Sequence, residues 1–171
     1  MKRCEILIKA IEKEKIDTIL YMPCSTMIDI IEHFQKKKDV SIFPISREEE
    51  GIGLITGLFL SGKKPLLMIQ DSGLGNSYNA IITLLKCYQI PVVILITRRG
   101  SVGEVSAPNA LWADNTSMLN KVLGLQEFLL GVNVPIELWG NAIQSAFHHA
   151  KLVNNPVLLQ VNLRNRGEYS D

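Results

Sequence analysis

The chain lacks a dominant charge of either sign and has no long hydrophobic run. Its 171 residues include 18 lysines and arginines against 17 acidic residues, so the formal net charge is +1. This balance gives no general attraction to nucleic acid or to anionic membranes, and we expect neither as a partner. No apolar run has the length that a bilayer requires, and the first residues lead into an amphipathic segment rather than a secretory signal. Partners must therefore be sought at a local site.

Cysteine is scarce as well. Cys4, Cys24 and Cys87 are odd in number and have neither metal-type nor redox-type spacing. This favours reduced thiols in a cytoplasmic protein, and we expect no metal ligands in this chain. With 47% hydrophobic residues, a chain of this length suits one globular domain with a sizeable core.

Helix and strand patterns alternate along the chain. Helices are predicted at about 4–15, 26–38, 48–60, 76–88, 115–125 and 135–150, and strands at 18–22, 40–45, 65–69, 91–96 and 156–161. The last three strands are continuously apolar, which is typical of a parallel sheet covered on both faces. The connection 98–114 shows no periodicity and is predicted to be a mobile or interface loop. The pattern predicts one doubly wound, flavodoxin-like α/β domain over residues 1–171, with a mainly parallel sheet of roughly five or six strands and helices on both faces.

Two short stretches follow predicted strands and combine charged or small polar residues with glycine. They are Ser-Arg-Glu-Glu-Glu-Gly-Ile-Gly at 46–53 and Gln-Asp-Ser-Gly-Leu-Gly-Asn at 70–76. Open α/β sheets bind ligands at the ends of their strands, and a Gly-x-Gly turn lets the backbone approach a ligand at a helix N-terminus. The alternatives are a plain strand-to-helix turn and an acidic run that stabilises a helix N-terminus.

The helix predicted at 48–60 contains Gly51, Gly53 and Gly57. Each interior glycine costs about 1 kcal/mol relative to alanine. We therefore expect another backbone or a ligand to pack closely against this helix.

Several motifs stand in a fixed order between Leu20 and Gly100. They are Tyr21-Met22-Pro23-Cys24-Ser25, Glu48, Gly57, Gly62-Lys63-Lys64-Pro65, Ser72-Gly73-Leu74-Gly75-Asn76, Ile90-Pro91 and Arg99-Gly100. This order resembles the pyrimidine-binding (Pyr) domain of thiamine-diphosphate enzymes. It is most similar to the α subunits of sulfopyruvate decarboxylases and to the N-terminal part of phosphonopyruvate decarboxylases.

The resemblance implies roles for individual residues. Glu48 lies nine positions before Gly57, which is the spacing of the family's catalytic glutamate. Such a carboxyl group hydrogen-bonds the cofactor's pyrimidine ring and favours the tautomer that activates the cofactor. The cofactor-binding residues implied with Glu48 are Ser72, Gly73, Leu74, Gly75 and Asn76. Candidate substrate residues are Cys24, Ser25, Arg47, Arg98 and Arg99, since guanidinium groups suit sulfonates and phosphonates; surface arginines and a buried, packing cysteine are the alternatives.

The chain has no Gly-Asp-Gly motif, through which these enzymes bind the diphosphate and its Mg²⁺. The resemblance therefore implies the α (Pyr) subunit of a two-subunit, thiamine-diphosphate-dependent 2-oxo acid decarboxylase. Its substrate would be sulfopyruvate, giving carbon dioxide and sulfoacetaldehyde, or phosphonopyruvate. A β-type partner would supply the Gly-Asp-Gly domain and the Mg²⁺, so the thiamine diphosphate would be shared in a hetero-oligomer and this chain alone would be inactive.

Two other functions remain open at this point. The first is a non-catalytic Pyr-fold binding or regulatory module, against which Glu48 argues. The second is a flavodoxin-like nucleotide-binding domain, but the chain has neither a Walker A motif nor a full Gly-x-Gly-x-x-Gly fingerprint.

Overall fold

The computed structural model describes residues 3–100, 104 and 106–163, in which helices and strands alternate. The helices are α1 (Arg3–Lys13), α2 (Ile28–Gln35), α3 (Glu48–Leu60), α4 (Asp71–Ala80), α5 (Ala107–Leu123) and α6 (Trp139–Val153). The strands are β1 (Thr18–Tyr21), β2 (Ser41–Pro44), β3 (Pro65–Gln70), β4 (Val93–Thr97), β5 (Gln126–Leu130) and β6 (Val157–Val161). A π-helical segment, Ile81–Lys86, continues α4, and 3₁₀ turns at Ser25–Met27 and Ile136–Leu138 precede α2 and α6.

The six strands form one sheet in the order β2-β1-β3-β4-β6-β5, and every neighbouring pair is parallel. After each strand the chain must therefore cross back to the end of the sheet where the next strand begins, and the helices provide these crossovers. The predicted doubly wound α/β fold is confirmed.

Two hydrophobic cores lie on opposite faces of the sheet. In β3, Leu66 and Met68 join the core that α1, α2 and α6 cover, whereas Leu67 and Ile69 join the core that α3 and α4 cover. Because alternate side chains of a strand point to opposite faces, a strand buried on both sides is apolar at nearly every position. This is why the inner strands had continuous apolar sequences.

The prediction of an irregular connection over 98–114 is wrong from Ala107 onward, where α5 begins; residues 101–103 and 105 lie outside the described part. The apolar side chains of α5 lie on both its buried and its exposed sides: Ala113 and Leu123 are buried, but Leu111 is 72% exposed and Val122 is 67% exposed, while the polar Thr116 and Asn120 are buried. This mixture weakens the pattern by which an amphipathic helix is recognised.

Strand β5 was missed for a related reason. It begins with Gln126 and Glu127, lies at the edge of the sheet beside β6 and is only partly buried. The polar residues of this edge strand remove the continuous apolar run by which the inner strands of the parallel sheet were predicted.

The glycines of α3 have different surroundings. A Cβ added at Gly51 would lie 2.7 Å from Cδ1 of Ile45 and 2.8 Å from Cδ1 of Leu67. Gly51 is thus explained by side chains of the chain's own core, and the expectation of a foreign backbone or ligand is wrong there. At Gly53 and Gly57 an added Cβ would meet nothing within 4 Å.

Within the described residues, no helix combines the length and apolar character needed to cross a bilayer. Cys4, Cys24 and Cys87 are free thiols.

The contrast between Gly51 and Gly53 predicts different responses to alanine. Gly53→Ala should raise the free energy of unfolding by up to about 1 kcal/mol, since it removes the glycine penalty without a new contact. Gly51→Ala should gain less or lose stability, because Ile45 and Leu67 must move. Urea denaturation of the two variants measures the difference, and equal gains would contradict this account of Gly51.

Candidate functional site

The carboxyl ends of the strands bring most of the predicted site residues to one edge of the sheet. Cys24 and Ser25 follow β1, Glu48 opens α3 after β2, Ser72 follows β3, and Arg98 follows β4. The chain runs from β1 outward to β2 and then crosses back to β3 on the other side of β1. The crevice between β1 and β3 is therefore a topological switch point, where open α/β sheets bind ligands.

Glu48 is held against α4. The Asn76 side-chain amide donates a hydrogen bond from Nδ2 to Oε2 of Glu48 at 2.9 Å. A Cβ added at Gly73 would lie 2.4 Å from Cγ of Glu48 and 2.7 Å from its Oε1, so only glycine leaves room for the carboxyl group. Three residues predicted to act together, Glu48, Gly73 and Asn76, thus form one cluster.

The three adjacent glutamates have separate partners. Glu48 faces α4, Glu49 accepts a bond from Nε of Arg47 at 2.7 Å, and Glu50 accepts a bond from the backbone N–H of Ser46 at 3.1 Å. The pair of Arg47 and Glu49 is local and exposed, with Arg47 72% accessible. The nine-residue spacing to Gly57 selects Glu48. Of the three carboxyl groups, that of Glu48 is also the one that packs on the 70–76 stretch.

The prediction that residues 72–76 form a turn before a helix at 76–88 is wrong, because α4 begins at Asp71 and includes all five residues. The Gly-x-Gly sequence suggested a turn, but its glycines make room for neighbouring side chains. Gly73 accommodates Glu48, and a Cβ added at Gly75 would lie 2.5 Å from the ring of Trp112 on α5. The stretch remains at a helix N-terminus, as predicted.

Gln70, the last residue of β3, connects four segments at this edge. Its Oε1 accepts bonds from Sγ of Cys24 and from Nη1 of Arg99, both at 3.3 Å. Its Nε2 donates to Oγ of Ser72 at 3.0 Å and to Oδ1 of Asn109 at 3.1 Å. Sequence reasoning assigned Gln70 no role, although a polar residue that ends an apolar strand was a signal for one.

Arg99 is engaged in a buried ion pair. Its Nε and Nη2 donate to the two carboxylate oxygens of Glu104, each at 2.8 Å, and the two side chains are 9% and 4% exposed. The Arg99 guanidinium, together with the N–H groups of Ser106 and Gly100, lowers the pKa of Glu104 to about 2. The Arg99 guanidinium is thus held in a structural ion pair with Glu104.

Asp71 lies fully buried beside this pair. Its Oδ2 accepts the backbone N–H of Arg99 at 2.9 Å and its Oδ1 accepts that of Ser72 at 3.0 Å. Burial raises its pKa, which the two N–H bonds oppose. Asp71 ties the end of β4 to the start of α4.

The remaining predicted residues lie around these clusters. Arg98 donates to Oε1 of Gln160 at 3.2 Å and to the backbone oxygen of Ala113 at 3.4 Å. Cys24 and Ser25 line an open hollow of about 460 Å³ with Tyr21 and Ile28. Leu74 is buried in the core beneath α4. Among the described residues no group of three or more His, Cys, Asp or Glu side chains is placed to hold a metal ion.

Comparison with known proteins agrees with the predicted resemblance. The chain is 42% identical over 104 residues to the sulfopyruvate decarboxylase subunit α of Methanococcus maripaludis, covering 61% of this chain and 62% of that one. It is 32% identical over 152 residues to the sulfopyruvate decarboxylase of Methanosarcina acetivorans, covering 86% of this chain and 38% of that one. Phosphonopyruvate decarboxylase of Streptomyces hygroscopicus matches at 30% over 93 residues, covering 54% of this chain and 23% of that one. The resemblance to these decarboxylases is confirmed.

Matches to the α subunits span only 54% to 62% of their length. No protein-family model matches the chain. Among solved structures, a Mycobacterium smegmatis protein classed as a thiamin-diphosphate-dependent enzyme superimposes with a TM-score of 0.73 at 18% identity, covering 95% of this chain and 31% of that one. At this identity, the match is evidence for the fold.

The Arg99 and Glu104 pair predicts a specific dependence of stability on pH. Because the pKa of Glu104 falls from 4.5 to about 2 on folding, its contribution is complete above about pH 4.5 and is lost as the pH falls toward 2. The upper bound of that contribution is about 3 kcal/mol.

Glu104→Gln should therefore lower the free energy of unfolding near neutral pH by at least about 2 kcal/mol, since it leaves the buried Arg99 without its counter-charge. The deficit relative to the wild type should shrink as the pH is lowered below 4.5. Asp71 titrates in both proteins, so the difference between them isolates Glu104. A deficit that stays constant from pH 6 to pH 3 would contradict the assignment.

Proposed function

We propose that this chain is the α (Pyr) subunit of a two-subunit, thiamine-diphosphate-dependent 2-oxo acid decarboxylase that acts on sulfopyruvate. The observation that carries the proposal is the Glu48 carboxyl group, packed over Gly73 and bonded by Asn76 beside the switch point of the sheet. Relatives named as sulfopyruvate decarboxylase subunits supply the reaction class.

The residues at Glu48 fit the pyrimidine half of the cofactor. One carboxylate oxygen, Oε2, is occupied by Asn76, while the structure records no hydrogen bond to Oε1 from the described residues. The side chain is half-buried, so Oε1 is available to a ring nitrogen in a partly water-excluded site. Glu48, with Asn76 to orient it, would thus hold the ring, and Gly73 keeps the space that the carboxyl group needs.

Thiamine diphosphate, when bound, supplies a nucleophilic carbon and an electron sink for decarboxylation of a 2-oxo acid. The contribution of this chain is the proton equilibrium at Oε1 of Glu48. A carboxyl group can both give and take that proton, whereas a glutamine amide cannot, and an aspartate would be one methylene shorter. The fixed bond from Asn76 orients the carboxyl group before the cofactor arrives, which limits the cost of organising the site.

The sequence lacks the Gly-Asp-Gly motif that would bind the diphosphate half of the cofactor. We assign the diphosphate and its Mg²⁺ to a β-type partner, so that the cofactor is shared and the single chain is inactive. The outer face of α3 suits such a partner: Gly53 and Gly57 are open, and Leu54 and Leu60 are 44% and 70% exposed. Exposed leucines beside glycines allow another element to approach closely and bury apolar surface.

Sulfopyruvate is favoured over phosphonopyruvate because the sulfopyruvate decarboxylases match at higher identity. Both substrates are small anions, and Arg47, whose side chain is the most exposed of the three predicted arginines, is the candidate to meet the sulfonate. Cys24 and Ser25 remain candidates for the substrate side, since they line the hollow beside β1. If the chain were instead a non-catalytic Pyr-fold module, changes at Glu48 would not lower the activity of the complex.

The assignment of Glu48 is tested by Glu48→Gln in the assembled complex. The variant should assemble normally but lose at least about 100-fold in turnover, because the amide keeps the size and the bond to Asn76 while losing the proton exchange. Steady-state release of carbon dioxide from sulfopyruvate measures the effect.

Glu50→Gln is the matched control, since Glu50 lies two positions away on the same helix and its carboxylate accepts a bond from the backbone N–H of Ser46. Its turnover should change by less than about threefold, because its role is to start the helix. Equal losses in the two variants, or an active Glu48→Gln complex, would remove Glu48 from the catalytic role.

A further inference from the structure

The side-chain amide of Gln70 uses its full hydrogen-bonding capacity. Its oxygen accepts two bonds, from Cys24 and Arg99, and its nitrogen donates two, to Ser72 and Asn109. An amide offers two lone pairs and two N–H groups, so none is left over. A side chain saturated in this way is held in one rotamer by four separate segments of the chain.

Arg99 fixes which way the amide points. A guanidinium group only donates, so it requires the oxygen of Gln70 rather than the nitrogen. The positive charge is balanced by Glu104, to which Arg99 donates two bonds of 2.8 Å. The orientation of the amide thus follows from a buried ion pair rather than from the amide alone.

The direction of the Cys24 proton follows from this orientation. With the Gln70 oxygen as acceptor, the single thiol proton of Cys24 must point to Gln70. In the contact of 3.2 Å between Cys24 and Thr26, the hydroxyl group must then be the donor. The thiol is held on both sides, although its residue lines the open hollow at the end of β1.

The direction of the Ser72 proton follows as well. The Ser72 oxygen accepts from Nε2 of Gln70, so the hydroxyl proton is turned away from Gln70. Ser72 is half-buried and immediately precedes Gly73, over which Glu48 packs. A hydroxyl donor in that place suits an anionic oxygen at the switch point.

We propose that Gln70 is a positioning residue of the site: it holds the Cys24 thiol turned inward as a donor and leaves the Ser72 hydroxyl to donate to an anionic ligand in the crevice. The role assigned to Ser72 rests on the proposed function, while the role assigned to Cys24 does not. Gln70 contacts no ligand itself and acts through these two neighbours.

The test is the rate at which iodoacetamide modifies Cys24 in the full chain, measured by mass spectrometry against exposed Cys87 in the same molecule. Gln70→Met keeps the length but removes every bond, and it should raise the Cys24 rate about five- to tenfold relative to Cys87. Gln70→Glu keeps the acceptor for Cys24 and Arg99, and its ratio should stay within about twofold of the wild type, by the same estimate.

This pattern separates positioning from packing, because an apolar methionine fills the space as well as a glutamate does. Circular dichroism checks that each variant is folded. If Gln70→Met does not fold, Gln70→Asn, which is too short to reach Cys24, should show the rise instead. An unchanged ratio in the folded methionine or asparagine variant, or an equal rise with glutamate, would overturn the proposal.

The role of Ser72 is tested by the kinetics of the assembled enzyme. With glutamate at position 70 the Ser72 proton turns inward to the carboxylate, so KM for the 2-oxo acid should rise about fivefold or more while kcat changes less. An unchanged KM would overturn the role of Ser72. A wild-type complex without decarboxylase activity would contradict the proposed function, and the Cys24 ratio would still decide the role of Gln70.

Discussion

The contact between α3 and α4 is the constraint on which the candidate site depends. Glu48 reaches across to Asn76 only because position 73 has no side chain. On its other side, α4 needs glycine again, since Gly75 meets the ring of Trp112. Two glycines in one helix weaken it by about 1 kcal/mol each, and that cost is offset where side chains of neighbouring helices pack directly on its backbone. The sequence of α4 is therefore explained by its neighbours rather than by its own helical stability.

The parallel sheet places a second polar cluster beside this contact. Because all strands end at one edge, residues far apart in the chain, such as Cys24, Gln70 and Arg99, become hydrogen-bonding neighbours. Arg99, held in its ion pair with Glu104, donates to the Gln70 oxygen and so fixes the direction of the amide. An oriented network organised before any ligand arrives is the arrangement expected where positioning contributes to catalysis.

Much of the fold followed from the sequence, because continuously apolar strands and amphipathic helices are local patterns. The bounds of α3 were predicted, and Glu48, the glutamate that the spacing selects, is the one of the three that contacts α4. Helix α5 was not predicted in full, since Leu111 faces solvent and Thr116 faces inward, against the usual polarity. The glycines of 72–76 suggested a loop because their real cause, the approach of Glu48 and Trp112, lies in distant segments. Gln70 was missed because three of its four partners, Arg99, Asn109 and Cys24, lie 29 to 46 positions away in the chain.

We propose that this chain carries the pyrimidine side of a shared decarboxylase site and is incomplete without a partner. The most direct measurement is carbon dioxide release from sulfopyruvate, with thiamine diphosphate and Mg²⁺, by this chain alone, by the Gly-Asp-Gly partner alone and by the two combined. Our account predicts release only from the combined chains. Release by this chain alone, or a stable complex of the two that leaves sulfopyruvate intact, would contradict it.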